Sequence, residues 1–434
     1  VRDSLLLRNL DAFDGDGRRE LRSFVMKFQQ TTSPVMAKGV EDTAFYIYNR
    51  LISLNEVGGH PDEFGTSVDA FHAANAERQT SWPSSLLATS THDTKRSEDV
   101  RARISVLSEI PREWRSAVTR WARQNRRRKI IVGDQAFPDA NAEYALYQNL
   151  LGAWPLDSMN SRAYEAFVDR MQQYVLKATK EAKVHTSWIN PNSEYDDAIQ
   201  NFVRAILEPS KGNQFLNDFA RLQPVVAYYG MLNSLAQVLL KITSPGVPDI
   251  YQGNEIWDFS LVDPDNRRPV DFQIRTELLD QLREMLATTD GARVARELLE
   301  FWENGAIKMF VTWCALEYRQ RDPLLFTRGE YTPLVATARG DHVVSFARST
   351  GAVRAIVVTP RLCYRLTQGT IQPPIGETVW SDAHLLLPDD GRQRYRNLMT
   401  GEHLESVDYG GRPALPLARV LGHFPVALLE CLPV

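Results

Sequence analysis

Cysteine is scarce in this sequence: Cys314, Cys363 and Cys431 are the only three in 434 residues. They are too few and too far apart for a disulfide framework or a metal cluster, which fits a reducing compartment, and the cytoplasm is the expected location. An excess of charge of one sign is missing too. With 50 basic and 54 acidic residues the formal net charge is −4, and the two signs are interspersed. No global field points to nucleic acid or to a membrane surface as a partner. The densest basic run, "RWARQNRRRK" at 120–129, carries one aromatic, Trp121, which belongs to an apolar helix stripe, so the run reads as a solvated helix face. The sequence is also expected to hold no run long and apolar enough to span a bilayer, and its N-terminus lacks the charge-then-apolar order of a leader. No G-x-x-x-x-G-K-[ST], Rossmann glycine run, G-x-S-x-G or H-E-x-x-H occurs. Phosphate-loop, dinucleotide, serine-hydrolase and zinc-protease chemistries therefore lack support, and no cofactor or metal is implied.

Hydrophobic residues make up 43% of the chain and charged ones 24%, enough for a large core and two or more domains. Helical period is plain in several places. Tyr164, Phe167, Val168, Met171 and Val175 share one face, as do Tyr195, Ile199, Phe202, Val203 and Ile206. A proline at 111 suits a first helical turn ahead of the stripe Trp114, Val118 and Trp121. Strand-like pieces bracket this block, "SSLLATS" before it and "VPDIYQG" after it, the latter entered through Ser244-Pro245-Gly246 at the end of the helical run "NSLAQVLLKIT". "IKMFVTWCALEYRQRDPLLF" reads as one further amphipathic helix. Beyond about residue 330 short β-rich runs take over, "HVVSFAR", "RAIVVTP", "ETVWSDAHLLLP" and "PVALLECLP". Strands separated by helices and followed by an all-β tail suggest an α/β barrel with a C-terminal antiparallel β-sandwich. Two barrel-like strands do not make eight, so the chain holds either another architecture or the later part of a barrel.

Three segments could carry chemistry. In "LLATSTHDTKRSEDVRARI" (86–104) an apparent strand ends in His92-Asp93, which would deliver both side chains to the carboxyl edge of a sheet. Lys95, Arg96 and Arg101 alternate there with Glu98 and Asp99, donors able to hold a carboxylate ionised or to grip sugar hydroxyls. The competing reading is a helix start capped by Asp93 or Thr94 with a solvated, salt-bridged face. "GVPDIYQGNEIWDFSLVDPDNRRPVDF" (246–272) exposes Asp249, Tyr251, Gln252, Glu255 and Trp257 around one loop, aromatic plates beside carboxylates that suit a sugar ring. Each of those residues alone is more often a turn cap. "SPVMAKGVEDTAFYIYNRLISLNEVGGHP" (33–61) sets Lys38, Glu41 and Asp42 around a glycine ahead of Phe45, Tyr46 and Tyr48. Read alone, it is a capped helix start whose aromatics pack inward.

Together "VMAKGVEDTAFYIYNRLISLNEVGG", "TSTHDTKRSEDVRAR" and "SPGVPDIYQGNEIWDFSLVDPDNRRPVDF" resemble the signatures of the maltooligosyl trehalose synthase family, within the α-amylase superfamily (glycoside hydrolase family 13). "HTSWINPNSEYDDA", "IKMFVTWCALEYRQRDPLLFTRGEYTPL" and "FPVALL" extend the likeness along almost the whole chain. The resemblance implies an isomerase acting on maltodextrin, which turns the α-1,4 bond at the reducing end into an α,α-1,1 bond. It implies Asp93 as the catalytic carboxylate that grips the distorted sugar and His92 as its substrate-binding neighbour. Lys95, Arg96, Lys38 and Glu41 become candidates for a donor-rich pocket around the leaving glucose, with Phe45 and Tyr46 as its walls and Tyr251 and Glu255 on the opposite loop. The superfamily's Asp-x-x-x-Asn-His and Gly-x-Arg-x-Asp motifs, and the strand bearing the proton-donating glutamate, do not occur in these residues. The chain thus looks like the C-terminal portion of such an enzyme: later barrel strands and active-site loops over 1–104, a mainly helical insertion over 105–235, the last barrel strand and helices over 236–329, and the β-domain over 330–434. The missing N-terminal half is the partner this implies, and the chain alone is expected to be inactive. A hydrolytic α-amylase relative and a non-catalytic α-glucan-binding protein are the alternatives.

Overall fold

A single tryptophan centres the helical half of the protein. The computed structural model describes residues 1–351, 353–388 and 393–432, and in it Trp121 is fully buried on the helix Pro111–Asn125. The rings of Trp114, Tyr147, Phe215 and Phe219 surround it at centroid distances of 5.3–5.7 Å. Tyr147 comes from the helix Ala140–Ala153, and both phenylalanines come from the helix Gln214–Thr243. The helices Ser161–Ala182 and Ser193–Ile206 close the same core with the apolar faces that their sequence period sets out. Each of these two starts at an asparagine whose side chain accepts a hydrogen bond from a first-turn amide.

The helix Gln214–Thr243 is 30 residues long and contains Pro224. By length and composition it could cross a membrane, contrary to the expectation that no such run exists, but 72% of its apolar window is buried inside this fold. It serves as the spine on which the Trp121 core and a second core meet. The divisions suggested at 104/105 and 235/236 fall inside the helices Glu98–Ser105 and Gln214–Thr243, so the chain is continuous across both.

Strands are sparse before residue 330. "SSLLATS" and "VPDIYQG" contribute only Leu86–Leu87 and Val247–Pro248, which pair in parallel with Leu86 opposite Val247. From Glu330 onward the fold is an antiparallel six-stranded sheet, in the spatial order His403–Glu405, Arg394–Asn397, Ala427–Leu432, Val353–Pro360, Val343–Thr350, Glu330–Pro333. Alternation along its strands buries both faces. Val357, Phe346 and Leu428 face the helices, while Ile356, Val358 and Leu429 face a three-stranded sheet built from His384–Leu386, Val407–Tyr409 and Arg412–Pro416. Two local expectations are corrected. "IKMFVTWCALEYRQRDPLLF" is two helices, Ala306–Arg321 and Pro323–Thr327, because Pro323 lacks an amide hydrogen and its ring crowds the preceding turn. In "ETVWSDAHLLLP" the segment Glu377–Trp380 is a helical turn, with Trp380 buried and donating to the Pro374 carbonyl at 2.8 Å.

Four buried charges join the helices to the loop after Leu87. Glu98 and Asp99 open the helix Glu98–Ser105, and Lys308 lies 2.8 Å from both carboxylates. Lys241 lies 3.1 Å from Glu98 and donates to Thr89 at 2.8 Å. All four are at most 5% exposed, so the solvated-face reading of this segment is overturned for Glu98 and Asp99. Burial resists the charge on Glu98, yet Lys308 and Lys241 outweigh it and hold the carboxyl down at about 2. Burial pushes Asp99 upward against the pull of Lys308. Between about 2 and the ordinary 4.5 for Glu98, the unfolded chain binds more protons than the folded one, so this group's contribution grows with pH. It is complete above that window and is lost as pH falls through it. Glu98→Gln is expected to cost about 3–5 kcal/mol near neutrality, the penalty for unpairing buried charge, and to flatten the acid limb of stability measured by urea unfolding from pH 2 to 7.

Candidate active site

The loop between Leu87 and the helix at Glu98 has no regular hydrogen bonding of its own, so its hydroxyls and its neighbours must satisfy its backbone. Thr94 donates to the Thr91 carbonyl at 2.9 Å, and the Asp93 amide donates to the Thr91 hydroxyl at 3.2 Å, a tight turn with His92 and Asp93 at its exposed tip. Ser97 caps the following helix, and its amide donates to the Ser260 carbonyl at 3.0 Å.

Side chains from elsewhere hold the rest. The Asn266 amide group lies 3.2–3.5 Å from the carbonyls of Thr91, His92 and Thr94, and Tyr251 donates to the Asn266 carbonyl at 3.0 Å. Arg267 reaches the His92 carbonyl at 3.3–3.4 Å. Tyr251 therefore stands behind the His92-Asp93 turn, one residue removed. Glu56 accepts from the amides of Lys95 and Arg96 at 2.9–3.1 Å. Sequence reading missed both Asn266 and Glu56. Their signals, "DPDN" and "NEVGG", look like ordinary turn chemistry until the fold brings them to this loop.

Asp42 gathers the second group of predicted residues. It pairs with Lys38, whose ammonium is held protonated above its usual range first by that hydrogen bond, with smaller contributions from Glu181 and Asp93. Lys95 is 2% exposed, 3.6 Å from Asp42 and 5.7–5.8 Å from the ring centres of Phe45 and Tyr46. Phe45 and Tyr46 are buried and wall this lysine, and burial raises the Tyr46 phenol. Lys38, Glu41 and Asp42 lie on a π-helical segment, Val35–Ala44, which continues the helix Gly15–Pro34.

Three expectations change. Arg96 is 1% exposed and its guanidinium is occupied by Asn149, the Tyr174 hydroxyl and the Ile52 carbonyl at 2.8–3.4 Å, so it braces the core and offers nothing to a sugar. Glu41 accepts from the Gly58 amide at 3.0 Å and holds the neighbouring turn. Glu255 pairs with Arg275 at 2.9 Å, and Arg275 also binds the Gly253 and Asp271 carbonyls, which makes Glu255 part of a loop staple. Of the predicted polar residues, His92, Asp93 and Lys38 remain exposed on this rim, with the Lys95 ammonium behind them.

Comparison with known proteins bears on this arrangement. No family model matches the chain. A Mycobacterium tuberculosis protein provisionally named a maltooligosyl trehalose synthase is 36% identical over 408 residues, 93% of this chain and 45% of that protein. The structure of maltooligosyltrehalose synthase from Arthrobacter ramosus matches with a TM-score of 0.76 at 36% identity, covering 96% of this chain and 47% of that one. Along nearly its whole length the chain is similar to maltooligosyl trehalose synthases. A hypothetical maltooligosyl trehalose synthase from Sulfolobus tokodaii agrees, with a TM-score of 0.70 at 32% identity over 99% of this chain and 50% of that one. The chain spans about half the length of the curated relatives it matches.

Arg96→Lys should lower stability by about 1–3 kcal/mol, since an ammonium cannot reproduce the planar fork, and chemical denaturation measures the loss.

Proposed function

We propose that this chain is the C-terminal part of a maltooligosyl trehalose synthase, in which Asp93 holds the sugar that undergoes intramolecular glucosyl transfer. The observation that carries the reading is the exposed His92-Asp93 tip on a backbone-locked turn just beyond a parallel strand, beside Tyr251 and in the field of Lys38. A parallel pair normally has both faces covered. Here Leu86 is 71% exposed and Val247 41%, and a groove of about 790 Å³ runs past Leu86, Gln237 and Lys241. That exposure supports reading the pair as two adjacent strands of an α/β barrel. Three cysteines in 434 residues suit a cytoplasmic setting.

The reaction requires a nucleophilic carboxylate and a proton-donating carboxylate about 5 Å apart across the scissile bond. Both are assigned to the remainder of the synthase. Within this chain, Asp93 accepts hydrogen bonds from hydroxyls of the ring that flattens, and those bonds strengthen toward the oxocarbenium-like transition state, which is what lowers a barrier. His92 binds the same ring. The freed glucose must turn over and attack through its anomeric hydroxyl before water does, so its side of the site needs donors that hold it. Lys38 supplies such donors at the rim and Lys95 stands behind them, with Asp42 orienting both ammonium groups. No water is consumed, so substrate and product are isomers.

In a full-length synthase carrying this chain, Asp93→Asn is expected to lower turnover of maltopentaose about a thousandfold, the scale of losing one transition-state contact. Near-normal turnover would remove Asp93 from the mechanism. The 434-residue chain incubated alone with maltopentaose should form no non-reducing trehalosyl product, and its appearance would refute the division of catalytic groups.

A further inference from the structure

The motif "NEVGG" at 55–59 is unused by the reading above, and its geometry gives it a task. Asn55 is buried and donates to the carbonyls of Phe45 and Tyr48 at 2.7–2.8 Å, which pins this turn to the segment carrying Phe45 and Tyr46. Gly58 has φ +74°, a conformation glycine adopts without penalty. A Cβ on Gly59 would sit 2.7 Å from the Leu54 carbonyl and 2.8 Å from that of Glu56, so only glycine closes the turn this tightly. The closed turn projects Glu56, 6% exposed, at the loop that follows Asp93.

There the carboxylate takes the Lys95 amide on both oxygens at 2.9 Å and the Arg96 amide at 3.1 Å, while its own Val57 amide donates at 2.9 Å. Arg101, 3.9 Å from Glu56, donates to the carbonyls of Thr89 and Arg96 at the two ends of the same loop. Asn266 holds the carbonyls between. The first two amides beyond the turn, those of Lys95 and Arg96, thus end on one acid, and hydrogen bonds to charged acceptors are the stronger kind. A counter-ion for Arg101 alone would sit nearer than 3.9 Å and would have no reason to face two consecutive amides.

Resting on the glucosyl-transfer reading of Asp93, we infer that Glu56 is a positioning residue for that carboxylate: it sets the backbone two residues downstream and so fixes where Asp93 meets the sugar. Glu56 touches no substrate. Its removal lets the turn drift, and a displacement on the order of 1 Å at a reacting group can cost about 100-fold in rate.

The test is a double-mutant cycle in the full-length synthase carrying this chain, with maltopentaose as substrate. Glu56→Gln keeps volume and one acceptor oxygen, and is expected to lower kcat by roughly 10- to 100-fold with KM within twofold. The variant Asp93→Asn/Glu56→Gln should be no slower than Asp93→Asn alone, because a residue acting through Asp93 has nothing left to position. A fold-wide structural role would instead add its loss to that of Asp93. Glu56→Gln within twofold of the parent, or additive losses, overturns the inference while leaving Asp93 in place. Near-normal turnover of Asp93→Asn overturns the glucosyl-transfer reading and this inference with it. Should Glu56→Gln fail to fold, Glu56→Asp carries the same cycle: it keeps the charge beside Arg101 but withdraws the acceptors from the Lys95 and Arg96 amides, and the same non-additivity is expected.

Discussion

Four charges buried at the start of one short helix tie this protein together. Glu98 and Asp99 stand at the N-terminus of the helix Glu98–Ser105, where the helix dipole favours negative charge, and Lys241 and Lys308 arrive from two other helices to pair with them. Taking such groups out of water is costly unless every partner is in place, so the network tolerates one arrangement of the three helices. The loop on which the candidate chemistry sits leads directly into this helix. A shift in the network would therefore move Asp93.

The site follows a division of labour between backbone and side chain. His92 and Asp93 are free at the tip because the turn beneath them is held by groups from distant segments: Glu56 on the amides, Asn266 and Arg101 on the carbonyls. A strand or helix could not do this, since its own ladder would occupy the backbone and aim the side chains at regular intervals. An irregular loop saturated by side-chain bonds can place two adjacent polar residues on one rim. Asp42 does the same for Lys38 and Lys95 with charge in place of backbone hydrogen bonds.

Charged residues that look alike in sequence have different roles here. Lys95 and Arg96 are adjacent in a polar block, yet one faces Asp42 between two aromatic rings and the other is fully engaged by Asn149, Tyr174 and Ile52. Glu255 satisfies the rule that acids in loops cap and staple, and Glu41, on the π-helical segment, holds the turn at Gly58. Such outcomes depend on which neighbours the fold supplies, and no local pattern contains them. The strand-like runs at 84–90 and 247–253 shrink to two paired residues each for a related reason: apolar runs with turn residues at one end mark burial, while hydrogen-bonded pairing needs a neighbouring chain segment at the right register.

What the sequence alone determined is what local periodicity and short motifs can encode. The faces of the helices Ser161–Ala182 and Ser193–Ile206, the helix start at Pro111 and the β-rich run beyond 330 follow from side-chain spacing that any chain with that pattern would bury. The family resemblance likewise rests on consecutive residues. Tertiary structure alone decided that Glu56, Asn266 and Asp42 serve the candidate site and that Arg96, Glu41 and Glu255 serve the scaffold. Glu56 meets Lys95 across 39 residues and Lys308 meets Asp99 across 209, and hydrogen bonds at that separation arise only once the core has brought the segments together.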